Sequence, residues 1–263
     1  MKVTIKLSVL ACLFAGLIFM GCSDSGGGGT NTGGSGGLGD DNTITAKVEN
    51  SGDYDDIDEV WAVVYYDDGY NYYGESVADA KYSNGGFTIK LPSTVDEDLL
   101  EEIGEDDDLD ISDPSAKGCN MDLEARDDNG KWIEDFVRYY VSGNDYSGKI
   151  IIAEYFYADK AVTIKGSDSW EEDNGKYEET INLSFKKGWN ESFFVVDVSY
   201  NQNTDVLTVK YLLTTAKQSG LKWYLGYPDE EEEEWKSITT SAEKGLSFDK
   251  LMNSSRLISK FRK

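Results

Sequence analysis

The sequence predicts an all-β protein, an antiparallel body with one short helix. Three observations carry that prediction. Apolar and polar residues alternate with period two in five segments, as half-buried strands require. Clusters of Gly, Asn and Asp separate those segments where the chain must turn. A single stretch carries a helix-start signal.

Thr43–Glu49 alternates moderately, and Val60–Tyr66 is a solid apolar run of the kind a central strand needs. Asp67-Asp68-Gly69 follows it as a hairpin signal. Phe87, Ile89 and Leu91 alternate with Thr88 and Lys90 after the turn Asn84-Gly85-Gly86. Thr94-Val95-Asp96-Glu97 reads as a capping box, with Val95, Leu99 and Ile103 on one face, so residues 95–103 are predicted to form the short helix. Residues 105–113 then read as an acidic loop. Ile150-Ile151-Ile152 and Tyr155-Phe156-Tyr157 mark a strongly apolar strand over residues 149–157. Period two returns at Ile181, Leu183 and Phe185, at Phe194, Val196, Val198 and Tyr200, and at Leu207, Val209, Tyr211 and Leu213. The divisions expected are a β-domain over residues 43–157 and additional C-terminal strands over 158–228, either an extension or a second small β-unit. Trp61, Trp132, Trp170, Trp189, Trp223 and Trp235 are expected mostly as core or turn anchors.

Both ends of the chain differ from this body. Lys2 and Lys6 precede an apolar run over residues 7–20 that ends at Gly21-Cys22, the layout of a secretory signal. The cysteine directly after Gly21 resembles a bacterial lipoprotein signal, which implies that Cys22 becomes the lipidated first residue of the mature chain. The apolar run is short for a membrane-spanning helix. Residues 22–42 read as a tether, since nine of the fourteen residues from Gly26 to Gly39 are glycine. A flexible coil of that length spans roughly 25 Å root-mean-square. At the far end, residues 229–234 form a like-charge acidic block that should stay extended. Residues 236–263 hold seven Lys or Arg against Glu243 and Asp249, with Phe248, Leu251, Met252, Ile258 and Phe261 near helical spacing. That tail can pack as an amphipathic helix on the acidic body or on a partner.

Composition excludes several functions. Loss of Lys2 and Lys6 with the signal leaves 23 basic against 50 acidic side chains, a formal charge of −27. A nucleic-acid binder would show a basic stripe instead. Such a charge also rules out electrostatic docking on anionic headgroups, so membrane attachment must come through acyl chains. It favours cationic partners, Ca²⁺ among them. Cys12 leaves with the signal and Cys22 is the lipid site, so Cys119 remains alone, expected as a buried strand residue, and no intramolecular disulfide is available. The chain has no histidine, which removes Ser-His-Asp and Cys-His catalysis and the usual zinc sites.

Three segments could carry chemistry. Asp106, Asp108 and Asp110 space oxygen ligands two apart as a Ca²⁺ loop does, but Ile111 and Lys117 stand where an EF-hand needs Gly and Glu. They therefore form a looser Ca²⁺ site or a solvated loop. Asp53, Asp55, Asp56, Asp58 and Glu59 form a second acidic cluster between predicted strands, which can bind Ca²⁺ or screen a sheet edge against pairing. Tyr65, Tyr66, Tyr70, Tyr72 and Tyr73, beside Asp, Asn and Gly on a hairpin, have paratope-like composition and can stack on sugar rings. The same tyrosines can also serve only as cross-strand aromatic pairs. Glycosidase chemistry needs two suitably spaced carboxylates, which fifty acids supply by chance, so composition gives no support to an enzyme.

Residues 78–92, ending Asn84-Gly85-Gly86-Phe87-Thr88-Ile89-Lys90-Leu91-Pro92, resemble a segment of surface lipoproteins from Bacteroides-type gut bacteria. Leu183-Ser184-Phe185-Lys186-Lys187-Gly188-Trp189-Asn190 resembles their turn between two late strands, and residues 159–166 fit the strand before it. The resemblance implies an immunoglobulin-like or transthyretin-like β-sandwich, lipid-anchored in the outer membrane and facing the cell exterior. The matching motifs are structural rather than catalytic. The expectation is therefore a non-catalytic envelope protein without a dedicated cofactor, recognising a glycan or protein. The alternative is a structural or accessory component of an envelope assembly.

Overall fold

The structure, a computed structural model, describes residues 36–227 apart from 55, 68–71, 105, 145 and 173–174. Cys22, Tyr70, Trp235, the acidic block and the basic tail therefore lie outside the described residues. The fold is all-β. Its strands are β1 (Thr43–Lys47), β2 (Glu59–Asp67), β3 (Tyr72–Lys81), β4 (Gly86–Lys90), β5 (Glu101–Glu102), β6 (Asp110–Ile111) and β7 (Lys117–Arg126). They continue as β8 (Trp132–Asn144), β9 (Ser147–Ala158), β10 (Val162–Glu172), β11 (Gly175–Phe185), β12 (Gly188–Asn201), β13 (Val206–Thr214) and β14 (Lys222–Leu225). β1 and β4 form a two-stranded sheet, and the other twelve strands form one large sheet.

The small sheet covers one face of the large one. Ile44, Phe87 and Ile89 pack against Val60, Ala62 and Val64 of β2 and Met121, Leu123 and Ala125 of β7. Cys119 is buried in the same core, and desolvation pushes its thiol up to about 12, so it is an inert apolar filler. The two segments quoted above meet here. The Trp189 indole Nε1–H donates to the Pro92 carbonyl at 2.8 Å. Asn190 closes the turn before it, accepting from the Lys186 N–H and donating back to the Lys186 and Gly188 carbonyls.

A second core lies on the opposite face. The large sheet curls until Ile164 of β10 and Ile181 and Phe185 of β11 share one apolar cluster with Val137 of β8 and Ile150, Ile152 and Phe156 of β9. Not every pairing is antiparallel as predicted, because β11 and β13 run parallel. β13 inserts between β11 and β12 and stops at Thr214, opposite Asn182 and Phe193. The two-residue link from Phe185 to Gly188 can then close beyond the end of β13.

β7, β8 and β9 meet at a three-way junction. β9 pairs with β7 from Tyr155 to Ala158 and with β8 from Ser147 to Ala153. β7 meanwhile turns to β8 through Glu124–Arg126. The strands separate around Asp122, which neither ladder includes.

The predicted helix over 95–103 is corrected to one 3₁₀ turn, Glu97–Leu99. Val95, Leu99 and Ile103 are buried, as the pattern requires. The residue before the turn is Asp96, without a side-chain cap, not Thr94. The chain then extends because β5 pairs with β7 and the Ile103 N–H donates to the Ala116 carbonyl at 2.8 Å, so strand pairing overrides local helix preference.

The end of the expected tether is bound to the body. Gly36 O accepts from Trp223 Nε1 at 3.1 Å, and Leu38 bridges Ile44. Gly37 crosses the buried pair Arg138 Nη1–Glu191 Oε1, 2.6 Å apart, where a Cβ would collide with both side chains. Each member of that pair leaves only about a tenth of its side chain exposed. We expect Arg138→Met alone to destabilise the fold by about 3–5 kcal/mol, because it strands a buried carboxylate. Adding Glu191→Met should recover much of that loss in urea unfolding, and a double variant as unstable as the single would contradict the assignment.

Candidate functional site

The face of β2, β7 and β8 turned away from the first core carries a linked group of polar side chains. Strand alternation puts Met121, Leu123 and Ala125 inward, which turns Asp122, Glu124 and Arg126 outward. Register then aligns Trp61 with Glu124, Glu124 with Asp135, and Val63 with Asp122. Tyr65 reaches the same group over Gly74, where any side chain would meet its ring.

The polar groups are linked. Glu124 is 2 % exposed, accepts a short hydrogen bond from the Tyr65 hydroxyl, and is paired with Arg126 Nη2. Arg126 Nη1 also donates to the Gly130 carbonyl at 2.8 Å, and its guanidinium lies 4.8 Å over the Trp61 ring centroid. Trp61 Nε1 donates in turn to Glu59 at 2.9 Å. Trp132 is the solvent-facing member, 47 % exposed, with its Nε1–H donated to Asp135 Oδ1 at 2.9 Å. That bond holds a large aromatic surface in one orientation outside the core.

Electrostatics set two carboxyls apart from ordinary surface acids. Solvent reaches Asp122 from one side, but protein surrounds it on the others. Loss of hydration there, reinforced by Asp135 and Glu124, pushes its carboxyl up to about 7. Asp135 is also raised, mainly by burial and against the Trp132 hydrogen bond. The Tyr65 hydroxyl is raised by burial and by its bond to Glu124, which keeps it a donor. The arrangement offers a fixed indole, a tyrosine donor committed to Glu124, and a carboxyl able to donate or accept at neutral pH.

Of the five tyrosines predicted from the hairpin, Tyr70 lies outside the described residues, and Tyr65 and Tyr66 point to opposite faces of β2. Tyr65 belongs to this carboxylate group. Tyr66 packs on the first core, and its ring centroid lies 5.7 Å from that of Tyr73, its cross-strand neighbour. Tyr72 stands opposite Asp67 in the register. Asp106 accepts from the Asp108 N–H at 2.8 Å within its own loop, while Asp110 begins β6 opposite Lys165. Among the described residues, no three acidic or thiol side chains converge as metal ligands. Asp53 ends a 3₁₀ turn at Ser51–Asp53, away from Glu59 on β2.

Asp122, Glu124, Asp135 and Trp132 are functional candidates that residue patterns missed. The available signal was Met121-Asp122-Leu123-Glu124-Ala125-Arg126, a strand with one wholly charged face. Its meeting with Tyr65 and Asp135 depends on register, which short-range spacing does not contain.

Because the folded-state value of Asp122 lies above its unfolded value of about 4, the fold favours the protonated carboxyl. That contribution is fully present below about pH 4 and is lost as pH rises through about 7. Asp122→Asn should therefore raise the melting temperature above pH 7 and flatten its slope between those limits. The gain should stay under about 1 kcal/mol, since solvent on the open side screens the repulsion. A variant less stable than the parent at pH 8 would contradict this assignment.

No family model, curated protein or solved structure matches the chain.

Proposed function

We propose that the protein is a non-catalytic, lipid-anchored protein of the cell envelope, a surface recognition module for a glycan or protein ligand. In this reading Cys22 carries the acyl chains in the outer membrane, and the glycine-rich segment after it holds the body off the surface. The ligand rests on the face formed by Trp132, Asp135, Asp122 and Tyr65.

The observation that carries this reading is the exposed Trp132 ring fixed by Asp135 beside Asp122. An exposed indole otherwise gains little from being held in one orientation. Asp135, which holds that ring, is also close enough to Asp122 to raise its titration, so the face combines a flat apolar surface with a two-way hydrogen-bonding group, which suits a sugar ring or a peptide side chain. The lipidation and outer-membrane parts rest on the first 22 residues and on the resemblance of residues 78–92 and 183–190.

The chain produced from Ser23, without lipid, is screened on arrays of glycans and peptides at pH 6 and pH 8. We expect a reproducible ligand whose affinity drops at least about ten-fold in Trp132→Ala, equivalent to about 1.4 kcal/mol, with the fold intact by circular dichroism. Binding should also change between the two pH values and lose that change in Asp122→Asn. Full binding by the Trp132→Ala protein would overturn the assignment of this face.

A further inference from the structure

A cleft of about 480 Å³ lies on the outer side of the curled half of the sheet, away from the Trp132 face. Its walls come from β8, β9, β12 and β13, and its polar lining is Ser142, Ser147, Ser199, Lys149, Lys210 and Asp197. Gly143 and Gly148, opposite each other across β8 and β9, leave part of the lining without side chains.

Strand register explains how the charges come together. Ser142 faces Lys149, Lys149 faces Asp197, Asp197 faces Lys210, and Lys210 faces Glu178 on β11. From Lys149 to Glu178 the row therefore alternates cation and anion across four strands. Lys149 Nζ is 3.2 Å from Asp197, and Lys210 Nζ is 2.5 Å from Glu178. An ammonium has three donors, and each of these ion pairs engages one of them. The Lys149 side chain is 39 % exposed and that of Lys210 54 %, so their remaining donors can turn to a ligand. Glu178 pairs with Lys210 from outside the cleft, so the lining itself presents two ammonium groups and the Asp197 carboxylate.

The next residues on the same face, Ser147 and Ser199, are paired in register and add a row of hydroxyls beside the charges. Tyr146, exposed, and Tyr200 follow directly along these strands and are joined by a Tyr200 N–H to Tyr146 carbonyl bond of 2.8 Å. The volume is far larger than a lone inorganic ion needs and falls in the range of small-molecule sites. Hydroxyl donors and acceptors with two ammonium groups suit a hydroxyl-rich ring bearing a negative group. Asp197 between the lysines disfavours a second anionic group on the ligand.

We propose that this cleft binds a sugar bearing a single anionic group, a carboxylate, sulfate or phosphate. Lys149 and Lys210 lie on β9 and β13, strands that carry neither Trp132 nor Tyr65, so this proposal and the reading of that face are tested separately.

The chain from Ser23 is titrated calorimetrically with glucuronate, glucose 6-sulfate, glucose 6-phosphate, unmodified glucose and inorganic phosphate. At least one anionic sugar should bind roughly ten-fold more tightly than glucose and than inorganic phosphate, and the strongest of the three identifies the anionic group. Its affinity should fall as salt rises from about 50 mM to about 500 mM, because the lysines are partly solvent-exposed. Lys149→Gln with Lys210→Gln should reduce it roughly ten-fold, with little change in melting temperature, since exposed pairs contribute little stability. Ser199→Trp, which fills the cleft without altering its charge, should also abolish binding. Equal binding of glucose or inorganic phosphate, no binding of any anionic sugar, or full binding by the double lysine variant would overturn the proposal.

Discussion

The structure depends on β9 being buried on both faces. Ile150, Ile152, Phe156 and Ala158 enter the second core. Tyr155 and Tyr157 enter the first, and Ile151 and Ala153 join Phe193, Val195 and Leu221 in a smaller cluster. A strand of this kind cannot be displaced without exposing apolar surface on two sides, and each fully buried large side chain is worth about 1.5–3 kcal/mol. Its ladder with β12 runs unbroken from Ser147 to Ala158, which fixes the register of both halves of the molecule.

The same strand accounts for the position of the carboxylate face. β9 takes β7 as a neighbour over one half of its length and β8 over the other, so the three strands must part between those pairings. Asp122 stands at that parting, where loss of hydration, reinforced by the nearby Asp135 and Glu124, raises its titration. Acidic groups crowded together in a sheet oppose folding. Here part of the repulsion is relieved by the Arg126 pairing of Glu124 and by the Trp132 bond to Asp135. The cost that remains at neutral pH is what makes the face a functional candidate rather than a stability device.

Much of the fold was legible in the chain because strand period and core identity are local. Val60–Tyr66, Phe87–Lys90, Ile181–Phe185 and Leu207–Leu213 all form strands at the predicted places. The helix over 95–103 failed because apolar residues four apart also reach the core from an extended chain when a neighbouring strand takes its backbone bonds. The parallel pairing of β11 and β13 has no signal in either strand alone. Of the candidate face, only Tyr65 was singled out in advance, and for its hairpin neighbours rather than for Glu124. Trp132 reads as one more core anchor until the register turns it outward. The lysine row is still less visible, since Lys149, Asp197, Lys210 and Glu178 are far apart in sequence and meet only through three strand pairings.

The central claim is that one doubly buried strand makes the two cores a single cooperative unit. Native-state hydrogen exchange tests it directly. The account predicts that amides of Ile150–Tyr157, of Val60–Val64 in the first core and of Ile181–Phe185 in the second exchange at one common limit, equal to the global unfolding free energy. Two separate limits, with either core opening while β9 remains protected only by the other, would contradict it.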